Sequence, residues 1–210
     1  MPQHRAELLI DRYEAELRSR RAGAMEPSPN PGREAAVFVL FVEQQKQTSI
    51  VLMRRPRLRG KHRGEWACPG GTREPEDRSL LSTAFRETEE ELGIPASAIE
   101  HWGSLKPVST VGTRFRVWPF TGRLDPSAKF VPSAVEVEEI ATVPIETFTS
   151  ISMQRHIRLD RGGQVRDLRA YVNEGRVIWG ATARILSQIF DQTWGSGDAD
   201  TGNTAEVVGQ

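Results

Sequence analysis

Ser79–Ile94 reads SLLSTAFRETEEELGI. Leu81, Phe85, Thr88 and Leu92 recur at helical spacing in a helix that starts at about Asp77 or Ser79, Asp77 can cap it, and Gly93 can end it. At about 100° per residue, Glu87, Glu90 and Glu91 gather on one side of that helix, next to the apolar stripe, while Glu89 points to solvent. Like charges at this spacing weaken a helix by roughly a few tenths of a kcal/mol per pair. They also crowd toward the C-terminal end, where the helix dipole disfavours anions. Such crowding is either a solvated face or a place built to hold cations. A hard divalent cation, which takes oxygen ligands and keeps waters for substrate phosphates, would remove the penalty. Just upstream, CPGG (Cys68–Gly71) lets backbone groups approach a ligand closely. Arg86 can pair with a carboxylate and fix it.

Outward from this helix the chain alternates strands and turns. AAVFVLFV (Ala35–Val42) is a buried strand, with SIVLMRR (Ser49–Arg55) its hairpin partner across QQKQT. The segment to Gly71 is rich in turn signals and reads as irregular. HWGSLKPVST and RFRVWPFTG predict strands around Gly112, Glu139–Thr142 a short strand, and Arg169–Val172 with Val177–Trp179 a final pair. Helices are predicted over Ala6–Arg21 and Ala181–Asp191. Mixed strands with flanking helices predict an α+β fold. The domain reading is an N-terminal helix and Pro-rich linker (1–32), a main folded domain (33–192) and a disordered acidic tail (193–210).

A formal net charge of +0 gives no general argument for nucleic acid or membrane. The single cysteine, Cys68, excludes an internal disulfide and a thiolate-rich metal site, and reads as a packed small hydrophobe. With no leader and no run long enough to span a bilayer, a cytoplasmic location is expected. Charge is concentrated locally at Arg54, Arg55, Arg57, Arg59, Lys61 and Arg63. That run fits several phosphates on one small molecule, ordinary soluble surface, or an RNA contact, and no nucleic-acid module supports the last.

Gly71–Ile94 resembles the signature of the Nudix hydrolases: a glycine, a carboxylate six residues on (Asp77), then Arg86, Glu87, Glu90, Glu91, Gly93 and Ile94. The gap from Asp77 to Arg86 is one residue longer than in the general signature, a form similar to the coenzyme A diphosphatase subgroup. LRGKHRGEWACPGG resembles that subgroup's preceding segment through His62, Gly64, Pro69, Gly70 and Gly71, with Cys68 where phenylalanine is usual. The likeness spans roughly Arg33–Phe190.

The resemblance implies a Nudix fold, a mixed β-sheet sandwiched between α-helices. It also implies Mg²⁺- or Mn²⁺-dependent attack of water on a pyrophosphate. For the subgroup the substrate is coenzyme A or a derivative, cleaved to 4′-phosphopantetheine and adenosine 3′,5′-bisphosphate. The expected metal ligands are Glu87, Glu90, Glu91 and the Gly71 carbonyl, with Arg86 orienting the carboxylates. The base is Glu90, Glu136 or Glu139. Arg54, Arg55, Arg59, His62, Arg63 and Gly70 are the expected substrate contacts. ADP-ribose, a dinucleotide or another nucleoside diphosphate derivative is the alternative substrate, and a non-catalytic nucleotide sensor the alternative class. A small-molecule nucleotide partner is expected, no membrane, and a homodimer is plausible.

Overall fold

The computed structural model describes residues 3–20, 34–56, 64–110, 115–161 and 164–190. Strands β1 (Glu34–Gln44) and β2 (Gln47–Arg54) form the predicted hairpin. Its tight turn is made without glycine, with Gln45 and Lys46 both at positive φ (49° and 65°). The two strands pair only near that turn, from Phe41↔Ile50 to Gln44↔Gln47. Farther away, β3 (Trp66–Ala67) pairs with β2 and β4 (Gly70–Thr72) pairs with β1. The segment expected to be irregular therefore ends in two short strands wedged into the fork of the hairpin. The Phe38 N–H donates to the Pro69 carbonyl at 2.9 Å and holds the wedge in place.

Helix α2 (Leu80–Leu92) follows, then β5 (Ile99–Ser104), β6 (Val108–Ser109), β7 (Arg116–Leu124) and β8 (Glu139–Pro144). β7 runs parallel to β1, whereas β2, β5 and β8 pair antiparallel, so the sheet is mixed. A short α3 (Glu146–Thr149) leads into a three-stranded meander of β9 (Gln154–Arg161), β10 (Gln164–Asn173) and β11 (Arg176–Trp179), closed by α4 (Gly180–Phe190).

Strand alternation gives the main sheet two buried faces. Phe38, Leu40, Val51 and Met53 pack under α2 with Leu80, Ala84 and Leu92. Val39, Phe41, Ile50, Leu52 and Trp66 face the other way, toward Ile10, Leu17, Tyr171 and Ile185. The N-terminal helix α1 (Gln3–Arg20) contributes to that second core. Its Tyr13 ring meets Phe41 at 5.8 Å and Phe190 at 5.3 Å, so α1 and α4 meet over the same face. The mixed sheet between helices is the α+β arrangement expected from the sequence. Among the described residues no helix is long and apolar enough to cross a membrane. The predicted linker and acidic tail lie outside the described residues.

Candidate active site

α2 starts at Ser79, whose extended backbone (φ −157°, ψ 166°) lets its side chain accept from the Ser82 N–H in a reciprocal capping box. Asp77, two residues earlier, does not cap the helix. Its carboxylate accepts from the Glu74 N–H at 2.9 Å and the Thr83 hydroxyl at 2.9 Å. It also accepts two bonds from Arg86, each 3.0 Å, on Nε and Nη2. Burial alone would raise Asp77, but the bonds from Arg86, Glu74 and Thr83 outweigh it and hold the carboxyl below its ordinary value. Asp77 was legible as a signature position but not as the partner of Arg86, because the contact is made through the turn rather than along the helix.

Arg86 is correspondingly fixed. Besides Asp77 it donates to the Thr72 carbonyl (3.0 Å) and to Glu90 Oε2 (3.0 Å), and lies 3.1 Å from Glu87 Oε1. Its bidentate fork is therefore spent on Asp77, and Glu87 and Glu90 each receive a single contact.

The three signature glutamates differ in environment. Glu90 is exposed and held by Arg86. Glu87 is half-buried over the glycine turn. A β-carbon added to Gly71 would stand 2.3 Å from its Oε2, so only glycine leaves that carboxylate room. Burial pushes Glu87 up, against the opposing charge of Arg86. Glu91 is 3% exposed, and its Oε2 accepts from the Gly70 N–H at 2.7 Å. Burial pushes Glu91 up to about 8; Arg55 and the Gly70 N–H oppose this, and the charges of Glu87 and Glu136 add to it. The carboxylates thus form a focus of negative charge short of counter-charge.

Glu136 enters through a loop that caps α2 from outside. The Val131 N–H donates to the Leu92 carbonyl at 2.8 Å and the Ser133 N–H to the Glu91 carbonyl at 2.9 Å. The following turn, Glu136 N–H to Ser133 carbonyl at 3.1 Å, brings the Glu136 charge within reach of Glu87 and Glu91. Nothing local in the sequence signals this loop, because its partners are the far end of a distant helix.

Glu139 goes elsewhere. It pairs with Arg54 (2.8 Å) and lies 3.7 Å from Arg176, beside Trp66, on the sheet face opposite α2. Trp66 is buried beside these two guanidiniums, which lie 5.7 Å and 5.5 Å from its ring centre. Arg54 and Glu139 are therefore not brought to the carboxylates, since the alternation of β2 sends Arg54 to one face and Arg55 to the other. Arg55 does arrive, 3.1 Å from the Gly70 carbonyl and 3.7 Å from Glu91 Oε1. Arg59, His62 and Arg63 lie outside the described residues. Cys68 is buried, with burial pushing its thiol up to about 12, as suits packing rather than a nucleophile.

Among the described residues no three potential ligands already converge as a preformed metal cluster. Glu91 is turned to the Gly70 N–H and Glu90 to Arg86. The donor chemistry still fits a hard cation. It is all oxygen, and burial pushes the Glu91 carboxyl up, a penalty that a bound cation would offset.

The NUDIX domain family matches residues 32–158, more than half of the chain. Among curated proteins, the uncharacterized Nudix hydrolase NudL of Photorhabdus laumondii is 34% identical over 76% of this chain and 84% of its own. The protein of the same name from Yersinia pestis is 34% identical over 76% of this chain and 79% of its own. Among solved structures, the Nudix hydrolase RenU of M. smegmatis has 19% identity and a TM-score of 0.47, covering 60% of this chain and 81% of its own. The chain belongs to the Nudix hydrolase family, and by that membership it is a pyrophosphohydrolase acting on nucleotide-derived substrates.

Proposed function

We propose that this chain hydrolyses the diphosphate bond of a nucleoside-diphosphate-linked small molecule with the help of Mg²⁺ or Mn²⁺, and that coenzyme A or an acyl derivative is that substrate. The observation that carries the hydrolytic reading is the buried Glu91 beside Glu87 at the Gly70–Gly71 turn, an oxygen-lined focus of negative charge. Glu87, Glu91 and the Gly71 carbonyl are the residues that would hold the cation, with Glu90 at the exposed edge. The cation would neutralise the diphosphate and lower the barrier to attack by water.

The chain's own residues supply the rest. Arg86, locked by Asp77 and Thr72, keeps the carboxylate-bearing turn of α2 against the glycine loop. Of the three candidates for the base, Glu136 is the best placed. Glu90 is paired with Arg86, and Glu139 with Arg54 on the other face. A water oxygen attacks one phosphorus, its proton passes to Glu136, and the bridging P–O bond breaks, leaving two phosphate monoesters. Arg55 is the one cation of the basic run that the described residues place beside the carboxylates.

The substrate assignment rests on sequence. LRGKHRGEWACPGG and the longer gap from Asp77 to Arg86 support coenzyme A. The family relationship equally supports ADP-ribose, a dinucleotide or another nucleoside diphosphate derivative. Product analysis with coenzyme A, dephospho-coenzyme A and ADP-ribose in parallel separates them. Fast cleavage of coenzyme A with weak cleavage of the dephospho form supports the assignment and a clamp for the 3′-phosphate. Faster turnover of ADP-ribose moves the assignment to the alternative class.

A further inference from the structure

Among the described residues, Arg55 and Arg86 reach the carboxylates of α2, and they are held very differently. Arg86 is tied down by a fork to Asp77 and by the Thr72 carbonyl, and no single movement frees it. Arg55 has its backbone pinned just past the end of β2, donating to the Glu65 carbonyl at 3.1 Å and accepting from the Gly64 N–H at 3.0 Å. Its side chain is 36% exposed and, among the described residues, hydrogen-bonds the Gly70 carbonyl. Its approach to Glu91 Oε1, at 3.7 Å, is longer than a hydrogen bond, so the attraction is electrostatic and loose. The other Glu91 oxygen accepts from the Gly70 N–H at 2.7 Å. Oε1 is thus the oxygen left for a cation, and among the described residues Arg55 is the cation standing at it.

We propose that Arg55 is a placeholder: it stands at Glu91 Oε1 in the metal-free protein, yields that oxygen to a divalent cation, and swings its freed guanidinium onto the diphosphate. This rests on the metal-dependent reading above. The backbone anchors confine the change to the side chain, whose exposure leaves room to turn. A guanidinium matches the paired oxygens of a diphosphate better than an ammonium does. The arrangement links the two binding events. Loading of the cation releases the group that holds the substrate, and the same arginine opposes the cation in the empty site.

The signature is a pair of opposite effects from one substitution. Free Mn²⁺ is titrated by electron paramagnetic resonance into metal-free full-length protein: wild type, Arg55→Gln, Arg55→Lys, Glu91→Gln and the Arg55→Gln/Glu91→Gln double variant. Arg55→Gln is expected to bind Mn²⁺ about fivefold tighter, since a charge opposing the cation is gone. Arg55→Lys keeps wild-type Mn²⁺ affinity. In the Glu91→Gln background Arg55→Gln changes it by less than about twofold, the mark of a pairwise link. In Mn²⁺-saturated protein, methylenediphosphonate binds Arg55→Gln about tenfold more weakly, as expected for a lost charged contact. Unchanged or weaker Mn²⁺ binding by Arg55→Gln, or undiminished methylenediphosphonate binding, overturns the placeholder role alone. No Mn²⁺ binding by the wild type overturns both this role and the metal-dependent function.

Discussion

Gly71 and Glu87 show how one missing methyl group shapes the site. The carboxylate occupies the space a side chain at residue 71 would take. Gly71→Ala is expected to displace Glu87 and lower kcat about 10²-fold, the scale of a misplacement near 1 Å, with little change in the thermal melt. A variant with full kcat would detach Glu87 from the chemistry. Glu91 makes a second prediction at this scale. Folded and metal-free it holds its proton to about 8, well above its ordinary value when unfolded. Between those values the folded state carries the extra proton, so the contribution of Glu91 to stability is full below the unfolded value and is lost as pH rises to about 8. The melting temperature of metal-free protein should therefore fall across that window, and Glu91→Gln should flatten the fall. An equally steep fall in the variant would show that other groups cause it.

At the scale of elements, the site is an agreement between a helix end and a loop. Gly93 ends α2 in the left-handed region (φ 67°), and an added β-carbon would stand 2.7 Å from that of Val131. Gly93→Ala should lose about 1–2 kcal/mol from the backbone alone. It should also loosen the loop that carries Glu136. Hydrogen exchange at the Val131 and Ser133 amides should accelerate, and kcat should fall more than KM rises. Unchanged exchange at both amides would mean that the loop does not depend on this contact. The helix itself was legible in the sequence, because its periodicity and Gly93 are local signals, but its cap was expected at Asp77 and is Ser79. Its buried stripe was read in part: Leu80, Thr83 and Ala84 are the deeper positions, while Leu81 and Phe85 are only partly buried. The strand β9 and the first half of β10 were not read, since charged residues such as Arg155, Arg158 and Asp167 dilute the apolar alternation. Those strands are specified by pairing with each other, from Tyr171↔Gln154 to Gln164↔Arg161.

On the scale of the whole molecule, the main sheet separates chemistry from support. α2 and its carboxylates lie on one face; α1, α4 and the meander strengthen the other. The position of α1 was beyond the sequence, because an amphipathic helix states that it has an apolar side but not what that side meets. Leu17→Ala, which empties space on the supporting face, should lower stability by about 2–5 kcal/mol in urea unfolding while leaving kcat unchanged well below the transition. A lower kcat at full stability would show that the two faces are coupled. The same division explains why Arg54 and Arg55, adjacent in sequence and both expected at the substrate, part company. One residue of strand is enough to send them to opposite sides.

The most direct test of the central claim is the rate of diphosphate hydrolysis with and without Mg²⁺ or Mn²⁺, for wild type beside Glu87→Gln and Glu91→Gln. Across coenzyme A and ADP-ribose, cleavage of at least one substrate should require the cation and fall by about 10²-fold or more in both variants, as for loss of preorganised charge at a reaction centre. Cleavage that persists in chelator, or that survives in both variants, would contradict the assignment of the α2 carboxylates as the catalytic centre.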